Sequence, residues 1–228
     1  MIAVRGCGVV SLTICVVALI GLGCGHPADS SGAVPEVSLP APATVGKMSV
    51  EEALAKRRSV RRFAAKDLTI EQIGQLAWAA QGITEPSRGL RTAPSAGATY
   101  PLELYLVKAD GVFHYLPRGH KVEQQSSQDR RADLADAAHG QGSVKGAPVS
   151  FVFAAVYERT RARYGDRAER YVHMEVGHAA ENIHLQAVAL GLASVPVGAF
   201  DDEAVAKVLS LPADQAPLYI IPVGYPSG

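Results

Sequence analysis

The segment that most constrains the fold is a long apolar stripe in the last third of the chain. Its apolar residues recur every three or four positions, at Val172, Val176, Ala180, Ile183, Ala187 and Leu190. This spacing places them on one face of a helix over residues 167–190, about 36 Å long. Such a stripe has to be covered by other elements, so the sequence predicts a buried central helix that Gly191 closes.

Shorter helices and strands surround this segment without regular alternation. Two capping boxes, Ser49–Glu52 and Thr69–Gln72, each start a helix. Strands are expected at 102–107, 112–116, 149–156, 194–197 and 219–223. Further helices are expected at 126–138 and from Asp201, and residues 81–99 form a loop. The irregular order favours an α+β fold over a doubly wound sheet.

The N-terminal part of the chain differs from the rest. All three cysteines lie within the first 24 residues, so the remainder has no disulfide and no cysteine metal site. An apolar run at 9–23 follows Arg5 and is typical of a secretory signal, and Cys24 resembles the lipidated cysteine of a lipoprotein. We predict a lipoprotein-like signal peptide or membrane anchor at 1–24, a flexible linker at 25–46 and the folded domain at 47–228. Ordinary secretion and an uncleaved anchor with a cytoplasmic domain are the alternatives.

Charge is balanced, with 22 basic and 22 acidic residues. The only charged residues among the first 46 are Arg5, Asp29 and Glu36, which leaves 21 basic and 20 acidic residues in the rest of the chain. No broad positive field is present to attract nucleic acid, and we exclude that class of partner. Any recognition of an anion has to be local.

Four arginines and a serine occupy seven consecutive positions after the first predicted helix. The segment reads Arg57-Arg58-Ser59-Val60-Arg61-Arg62-Phe63. Forked guanidinium groups and a hydroxyl can together bind one phosphate group. The alternative is a solvated helix end, because arginines are also favoured at the negative end of the helix dipole.

The histidines of the long helix do not form a metal site. His173, His178 and His184 are spaced by five and six positions, whereas two ligands on one face need a spacing of four. Two Glu-x-x-His pairs, which begin at Glu175 and Glu181, point in different directions. We therefore expect no metal and histidines whose hydrogen bonds are satisfied. The lack of a G-x-S-x-G elbow argues against a serine hydrolase, and P-loop and G-x-G-x-x-G motifs are also missing.

A loop of small residues precedes the predicted hairpin. It reads Ala93-Pro94-Ser95-Ala96-Gly97-Ala98-Thr99-Tyr100-Pro101. Its backbone N–H groups and hydroxyl suit close approach of a flat heterocycle, and a plain proline-punctuated turn is the alternative. Gly177, in the middle of the long helix, predicts close approach of another backbone or of a flat ligand.

Six segments, taken in their order along the chain, resemble the FMN-dependent nitroreductase superfamily. They most resemble its SagB-type branch of dehydrogenases, which is related to the thiazoline and oxazoline oxidases. The segments are Arg57–Phe63, Pro94–Glu103, Tyr164–Arg167, Gly177–Asn182, Gly191–Leu192 and Pro196–Asp201. The resemblance covers about residues 47–226. It implies a mixed sheet flanked by helices and two intertwined subunits that bury FMN at their interface.

The resemblance also implies roles for single residues. The FMN phosphate and ribityl chain would be held by Arg57, Arg58, Ser59 and Arg61. The flavin of the other subunit would be wrapped by Pro94, Ser95, Ala96 and Gly97. The backbone N–H groups of Gly198 and Ala199 would donate hydrogen bonds to the N5 edge of the flavin, and the side-chain amide of Gln141 would lie near the flavin.

Two features depart from the family pattern. Arg163-Tyr164 stands where the azoline oxidases carry a lysine-tyrosine pair, and an arginine cannot act as a base. Tyr164 is the one residue left as a catalytic candidate, and a packed or substrate-facing role is favoured over that of a base. The chain ends at Gly228 without the basic C-terminal segment that is common in the family, which predicts weaker FMN binding.

The sequence thus predicts an exported FMN oxidoreductase, held in the cell envelope through lipidated Cys24 and working as a homodimer. Hydride would pass through flavin N5 with ping-pong kinetics. The substrate would be a small molecule or a peptide, and the electron donor NAD(P)H, a quinol or a partner protein. The alternative is a catalytically inactive flavin-fold module that binds or scaffolds at the membrane.

Overall fold

A seven-stranded sheet organises residues 35–227, which are the part of the chain that the computed structural model describes. The strands are β1 Glu36–Ser38, β2 Ile83–Glu85, β3 Leu90–Arg91, β4 Leu102–Lys108, β5 Gly111–Leu116, β6 Lys121–Ser126, β7 Val149–Ala155, β8 Ala193–Ser194 and β9 Ala216–Gly224. The sheet has the order β1-β6-β5-β4-β7-β9-β8, and β2 and β3 form a separate hairpin. All paired strands are antiparallel, and a parallel bridge between Ser59 and Ser194 makes the sheet mixed.

Seven α-helices flank the sheet in this part of the chain. They are α1 Val50–Lys56, α2 Ile70–Gln81, α3 Arg131–Ala137, α4 Gly142–Lys145, α5 Tyr157–Tyr164, α6 Ala168–Ala189 and α7 Asp202–Leu209. The Ser49 hydroxyl accepts from the Glu52 N–H, and the capping box of Thr69 and Gln72 is complete. Both predicted helix starts are therefore confirmed, as is the central helix α6.

The hairpin of β4 and β5 lies at the centre of the sheet and has the predicted position. Its register pairs Lys108 with Gly111 and Leu104 with Tyr115. Gly111 has φ +141°, and a Cβ at this position would lie 2.0 Å from the Ser126 carbonyl oxygen. Only glycine fits this turn, because β6 passes directly against its backbone.

Alternation along the strands produces two cores, one on each face of the sheet. Leu104 and Phe153 point to the face that α2 and α6 cover, where they pack against Leu76 and Ile183. The opposite face is covered by α3, α4 and α7, and its strand residues include Tyr105, Val107, Val152, Ala154 and Ile220. The predicted α+β architecture, a mixed sheet flanked by helices, is confirmed.

Several predicted boundaries are wrong. The predicted linker at 25–46 fails from residue 36 onward, because β1 pairs with β6 and Leu39 is buried. The helix predicted at 126–138 begins only at Arg131, since Ser126 still belongs to β6. Helix α5 and the hairpin of β2 and β3 were not expected. The strand predicted at 194–197 is reduced to β8 and a single bridge between Val197 and Ile220.

No helix among residues 35–227 is both long enough and apolar enough to cross a membrane. The predicted signal or anchor at 1–24 and the lipidation site Cys24 lie outside the described residues.

Candidate functional site

The arginine segment leaves helix α1 and runs along the edge of the sheet beside β8 and the end of β9. Arg57 is the C-cap of α1, and its N–H donates to the Ala53 carbonyl. The Val60 N–H donates to the Ser194 carbonyl at 3.1 Å, and Phe63 forms a bridge with Pro226. The segment is thus held by its backbone, which leaves its polar side chains free to bind a ligand.

The arginine side chains have few acidic partners. Arg58, Ser59 and Arg61 are exposed, and the Arg58 guanidinium donates to the carbonyls of Ala55 (3.0 Å) and Arg57 (2.7 Å). The Arg57 Nε lies 3.7 Å from Glu181 Oε1. Within residues 35–227, neither Arg58 nor Arg61 forms an ion pair with a carboxylate. Unneutralised guanidinium groups on a fixed backbone are what binding of a phosphate group requires.

Gln141, Gly198 and Ala199 form a second group. The Gln141 amide nitrogen donates to the Ala199 carbonyl at 2.8 Å. Gly198 and Ala199 are exposed, and neither of their N–H groups has an acceptor among the residues the structure describes. Gly198 follows Ser194 by four positions, at most about 14 Å of extended chain. The group therefore lies within reach of a ligand that the arginine segment holds.

The loop from Pro94 to Tyr100 has an unusual backbone. Gly97, Ala98 and Tyr100 have positive φ angles of +59°, +54° and +45°. The Ser95 hydroxyl accepts from the Tyr100 N–H at 2.9 Å, and Arg163 donates to the Gly97 carbonyl. Such strain persists only where surrounding contacts determine it, and it is frequent at ligand-binding loops.

Tyr164, the candidate catalytic residue, lies directly against this loop. A Cβ at Gly97 would lie 2.7 Å from the Tyr164 hydroxyl and 2.9 Å from the Arg163 Cδ. The Tyr164 ring packs edge-on against Tyr171, with 5.1 Å between ring centroids. Tyr164 is thus a packed residue whose hydroxyl reaches the loop.

We expect Gly97→Ala to lower the free energy of unfolding by about 2 kcal/mol, from backbone strain and from the contact with Tyr164. Gly89→Ala is the matched control, because Gly89 has φ +66° and no atom of the described residues lies within 4 Å of a Cβ there. It should cost only about 1 kcal/mol. Urea unfolding measures both values, and removal of the hydroxyl by Tyr164→Phe should recover part of the difference. Equal losses at Gly97 and Gly89 would exclude the contact.

Four further polar residues around the site were not identified from the sequence as site residues. Glu175 and His184 lie on α6 and are buried, as is Ser194 on β8, and Arg91 is half-buried. A possible signal was that Glu175 and His184 each lie beside residues of the apolar stripe of α6. The histidines were expected to be satisfied, which is wrong for His184, because its Nε2 is buried without a hydrogen-bond partner within residues 35–227.

Glu175 faces the strained loop. Burial raises the pKa of its carboxyl to about 7, against the opposing effects of a hydrogen bond with Ser95 and the charge of Arg91. The Arg91 guanidinium lies 4.5 Å from the centroid of the Tyr100 ring and donates to the Gln81 side chain at 2.6 Å. The Oε1 of Glu175 has no hydrogen-bond partner among the described residues. The buried carboxyl of Glu175 and the partly buried guanidinium of Arg91 thus lie against the loop, at Ser95 and at Tyr100 respectively.

The predicted site residues therefore fall into three groups. No hydrogen bond or ion pair within residues 35–227 joins the Pro94–Gly97 loop to the arginine segment. At Gly177, the predicted close approach of another backbone is wrong among residues 35–227, because none of their atoms lies within 4 Å of a Cβ, and the approach of a flat ligand stays a prediction. The exposed guanidinium groups of Arg58 and Arg61, which form no ion pair within residues 35–227, fit an anionic group such as a phosphate. The charge of Arg57 is also felt by His184, whose buried Nε2 has no partner among the same residues, and contributes to lowering its pKa.

The chain matches the sequence profile of the nitroreductase family over residues 54–225. A protein of Methanocaldococcus jannaschii, provisionally named a nitroreductase, is 42% identical over 195 residues, which cover 83% of this chain and 96% of that protein. The microcin B17-processing protein of Escherichia coli is 28% identical over 155 residues, or 63% of this chain and 57% of that protein.

A crystal structure from Ralstonia eutropha, also provisionally named a nitroreductase, shares the fold. Its TM-score is 0.77 at 28% identity, with 85% of this chain and 90% of that chain covered.

Proposed function

The chain belongs to the nitroreductase family, and from this membership we propose that it is an FMN-dependent oxidoreductase of the SagB-type branch that works as a homodimer. The observation that carries the proposal is the arginine segment, in which the exposed guanidinium groups of Arg58 and Arg61 lie on a fixed backbone without carboxylate partners among residues 35–227. A domain without an anionic ligand has no need of such groups beside a serine.

Each group of residues has a part in binding. Arg57, Arg58, Ser59 and Arg61 hold the phosphate and ribityl chain, and the free N–H groups of Gly198 and Ala199 face the ring. Gln141 fixes the Ala199 carbonyl. No hydrogen bond or ion pair joins the loop Pro94, Ser95, Ala96 and Gly97 to the arginine segment within residues 35–227, which leaves the loop available to the site of the second subunit. FMN supplies hydride chemistry at N5, and two half-reactions at one surface give ping-pong kinetics.

The SagB-type assignment rests on the order of the six segments and on the similarity to the microcin B17-processing protein. Azoline oxidation is not part of the proposal, because Arg163 donates to the Gly97 carbonyl and an arginine cannot remove a proton. Tyr164 then contributes a hydroxyl at the loop and not a base. The substrate is a small molecule or a peptide.

We also propose that the protein is exported and tethered through a lipid on Cys24. The small residue Gly23 before Cys24 and the apolar run at 9–23 support this. NAD(P)H is scarce outside the cytoplasm, so a quinol is the preferred donor in that location. Fusion of an export-dependent reporter after Gly46 tests export, and a Cys24→Ser variant that stays with the membrane would contradict the lipid tether.

A second candidate function is a flavin-fold module without catalysis. The observation that favours it is Arg163 at the position of the catalytic lysine of the azoline oxidases. The two candidates differ in turnover: an FMN-loaded oxidoreductase consumes NAD(P)H or a quinol in the presence of a quinone or nitro acceptor, and a binding module does not.

The visible absorption spectrum of the full chain, purified in mild detergent, tests the proposed function. We expect a yellow protein that releases FMN on denaturation and has the mass of a dimer in light scattering. A colourless protein that takes up no added FMN would overturn the proposal. A yellow protein that no donor reduces would favour the binding module.

A further inference from the structure

His184 is a buried histidine whose two ring nitrogens have different surroundings. Its Nδ1 lies 2.7 Å from the Ser194 hydroxyl, and both residues are almost fully buried. Its Nε2 is also buried and has no hydrogen-bond partner among residues 35–227. Burial, and to a lesser extent the charge of Arg57, lowers the pKa of His184 to about 4. The ring is therefore neutral and carries one donor and one acceptor.

This pair is connected to the arginine segment at two points. The Ser194 carbonyl accepts from the Val60 N–H at 3.1 Å, and Ser194 also forms the bridge with Ser59. Arg57 approaches α6 at Glu181, which lies three positions before His184 and so on the same side of the helix. The contact of 3.7 Å between Arg57 and Glu181 is too long for a strong hydrogen bond.

The Nε2 of His184 is an acceptor of the kind that Arg57 needs for the N–H groups that do not face a phosphate. A guanidinium group only donates, and it binds a phosphate best when its remaining N–H groups are held by other acceptors. If Nδ1 donates to the Ser194 hydroxyl, the lone pair of Nε2 is the acceptor. An unpartnered buried nitrogen costs stability, which favours a partner in the ligand-bound state.

We propose that His184 is a positioning residue of the phosphate site: it holds Ser194, and through it the backbone at Ser59 and Val60, and its Nε2 accepts a hydrogen bond from Arg57 when Arg57 faces the phosphate. This inference rests on the proposed FMN function and adds to it a residue that does not touch the ligand.

Comparison of FMN with riboflavin tests the inference, because riboflavin lacks the phosphate. Dissociation constants are measured by flavin fluorescence on the full chain freed of bound flavin. We expect His184→Leu to weaken FMN binding about 10-fold and riboflavin binding less than about 2-fold. His184→Gln, which keeps a donor and an acceptor, should restore most of the FMN affinity. Ser194→Ala should weaken FMN binding about 3-fold. Ser150→Ala, which replaces another buried serine, should leave the affinity for FMN unchanged.

A double-mutant cycle tests whether His184 acts through Arg57. If it does, His184→Leu should add less than about 2-fold to the loss caused by Arg57→Ala alone, because coupled residues are not additive. Additive losses would overturn the route through Arg57. An equal loss of FMN and riboflavin affinity in His184→Leu, His184→Gln and Ser194→Ala would overturn the inference and leave only a packing role. A wild-type protein that binds neither flavin would overturn the proposed function instead.

Discussion

FMN binding is expected to weaken about 100-fold or more when Arg58 and Ser59 are both replaced by alanine, while the free energy of unfolding changes by less than about 0.5 kcal/mol. Both side chains are exposed, so their removal leaves no buried cavity. Among residues 35–227 the Arg58 guanidinium donates only to carbonyls at the end of α1, and a phosphate offers it charged acceptors instead. Hydrogen bonds to charged groups contribute about 1.5–3 kcal/mol each, and two of them are lost.

A matched control exists elsewhere in the chain. Ser87 and Arg88 are also an adjacent serine and arginine. The Arg88 side chain is exposed, and its only hydrogen-bond or ion-pair partner in the described part of the chain is Glu85. The Ser87→Ala, Arg88→Ala variant has the same change in charge and composition, and it should bind FMN like the wild type. Titration of both variants at low and high salt measures the effect, because phosphate contacts weaken as salt screens them. An Arg58, Ser59 double variant with full flavin content would contradict the proposed phosphate site.

Elements with a strong local signal were predicted well. Helix α6 was expected at 167–190 and spans 168–189, because its apolar stripe repeats over its whole length. The capping residues Ser49 and Thr69 determine the helix starts by hydrogen bonds within four residues. Such signals depend on neighbours in the sequence and not on the tertiary fold.

Elements whose local sequence signal is overridden by strand pairing were missed. Strand β1 has three exposed residues in a segment rich in Pro, Ala and Ser, and only its pairing with β6 makes it a strand. Strand β6 reads Lys-Val-Glu-Gln-Gln-Ser, of which only Val122 is buried. Its composition is close to that of an exposed helix, and pairing with β5 overrides that local preference.

The candidate site shows the same division. The arginine segment was recognisable because its residues are consecutive. Gln141 and Ala199, to which the resemblance gave a role near the same edge of the flavin, are joined by a hydrogen bond, and that role stays a prediction. The hydrogen bond between Ser194 and His184 could not be predicted from the sequence, because the two residues meet only when β8 packs beside α6. Glu175 likewise reaches the loop at Ser95 across 80 positions of sequence.

Glu175 gives a second large effect, which depends on pH. Its folded-state pKa is raised from 4.5 to about 7, so the folded state holds a proton that the unfolded state releases between these values. The contribution of Glu175 to stability is therefore complete below pH 4.5 and is lost as pH rises towards 7. Above pH 7 the ionised, buried carboxyl destabilises the fold by about 3 kcal/mol.

Glu175→Gln removes this dependence, because the amide is similar in shape and does not ionise. We expect the variant to be about 3 kcal/mol more stable than the wild type at pH 8 and within about 0.5 kcal/mol of it at pH 4.5. Urea unfolding of FMN-free protein at several pH values measures the difference. Glu181→Gln is the control on the same helix: the Glu181 side chain is 47% exposed, and the variant should keep the pH-dependent loss of stability that Glu175 causes.

The outcome at Glu175 also bears on the strained loop. If Glu175→Gln is more stable than the wild type at pH 8, the wild-type chain retains Glu175 although this residue destabilises the fold. A destabilising residue is retained where it has a function, and for Glu175 we infer that this function lies in the loop that it faces. The same variant should then bind FMN less well although it is more stable, because Ser95 loses the carboxyl that it contacts. A variant that gains stability and keeps full FMN affinity would separate Glu175 from the site, and a variant without pH-dependent gain would mean that Arg91 keeps the carboxylate ionised.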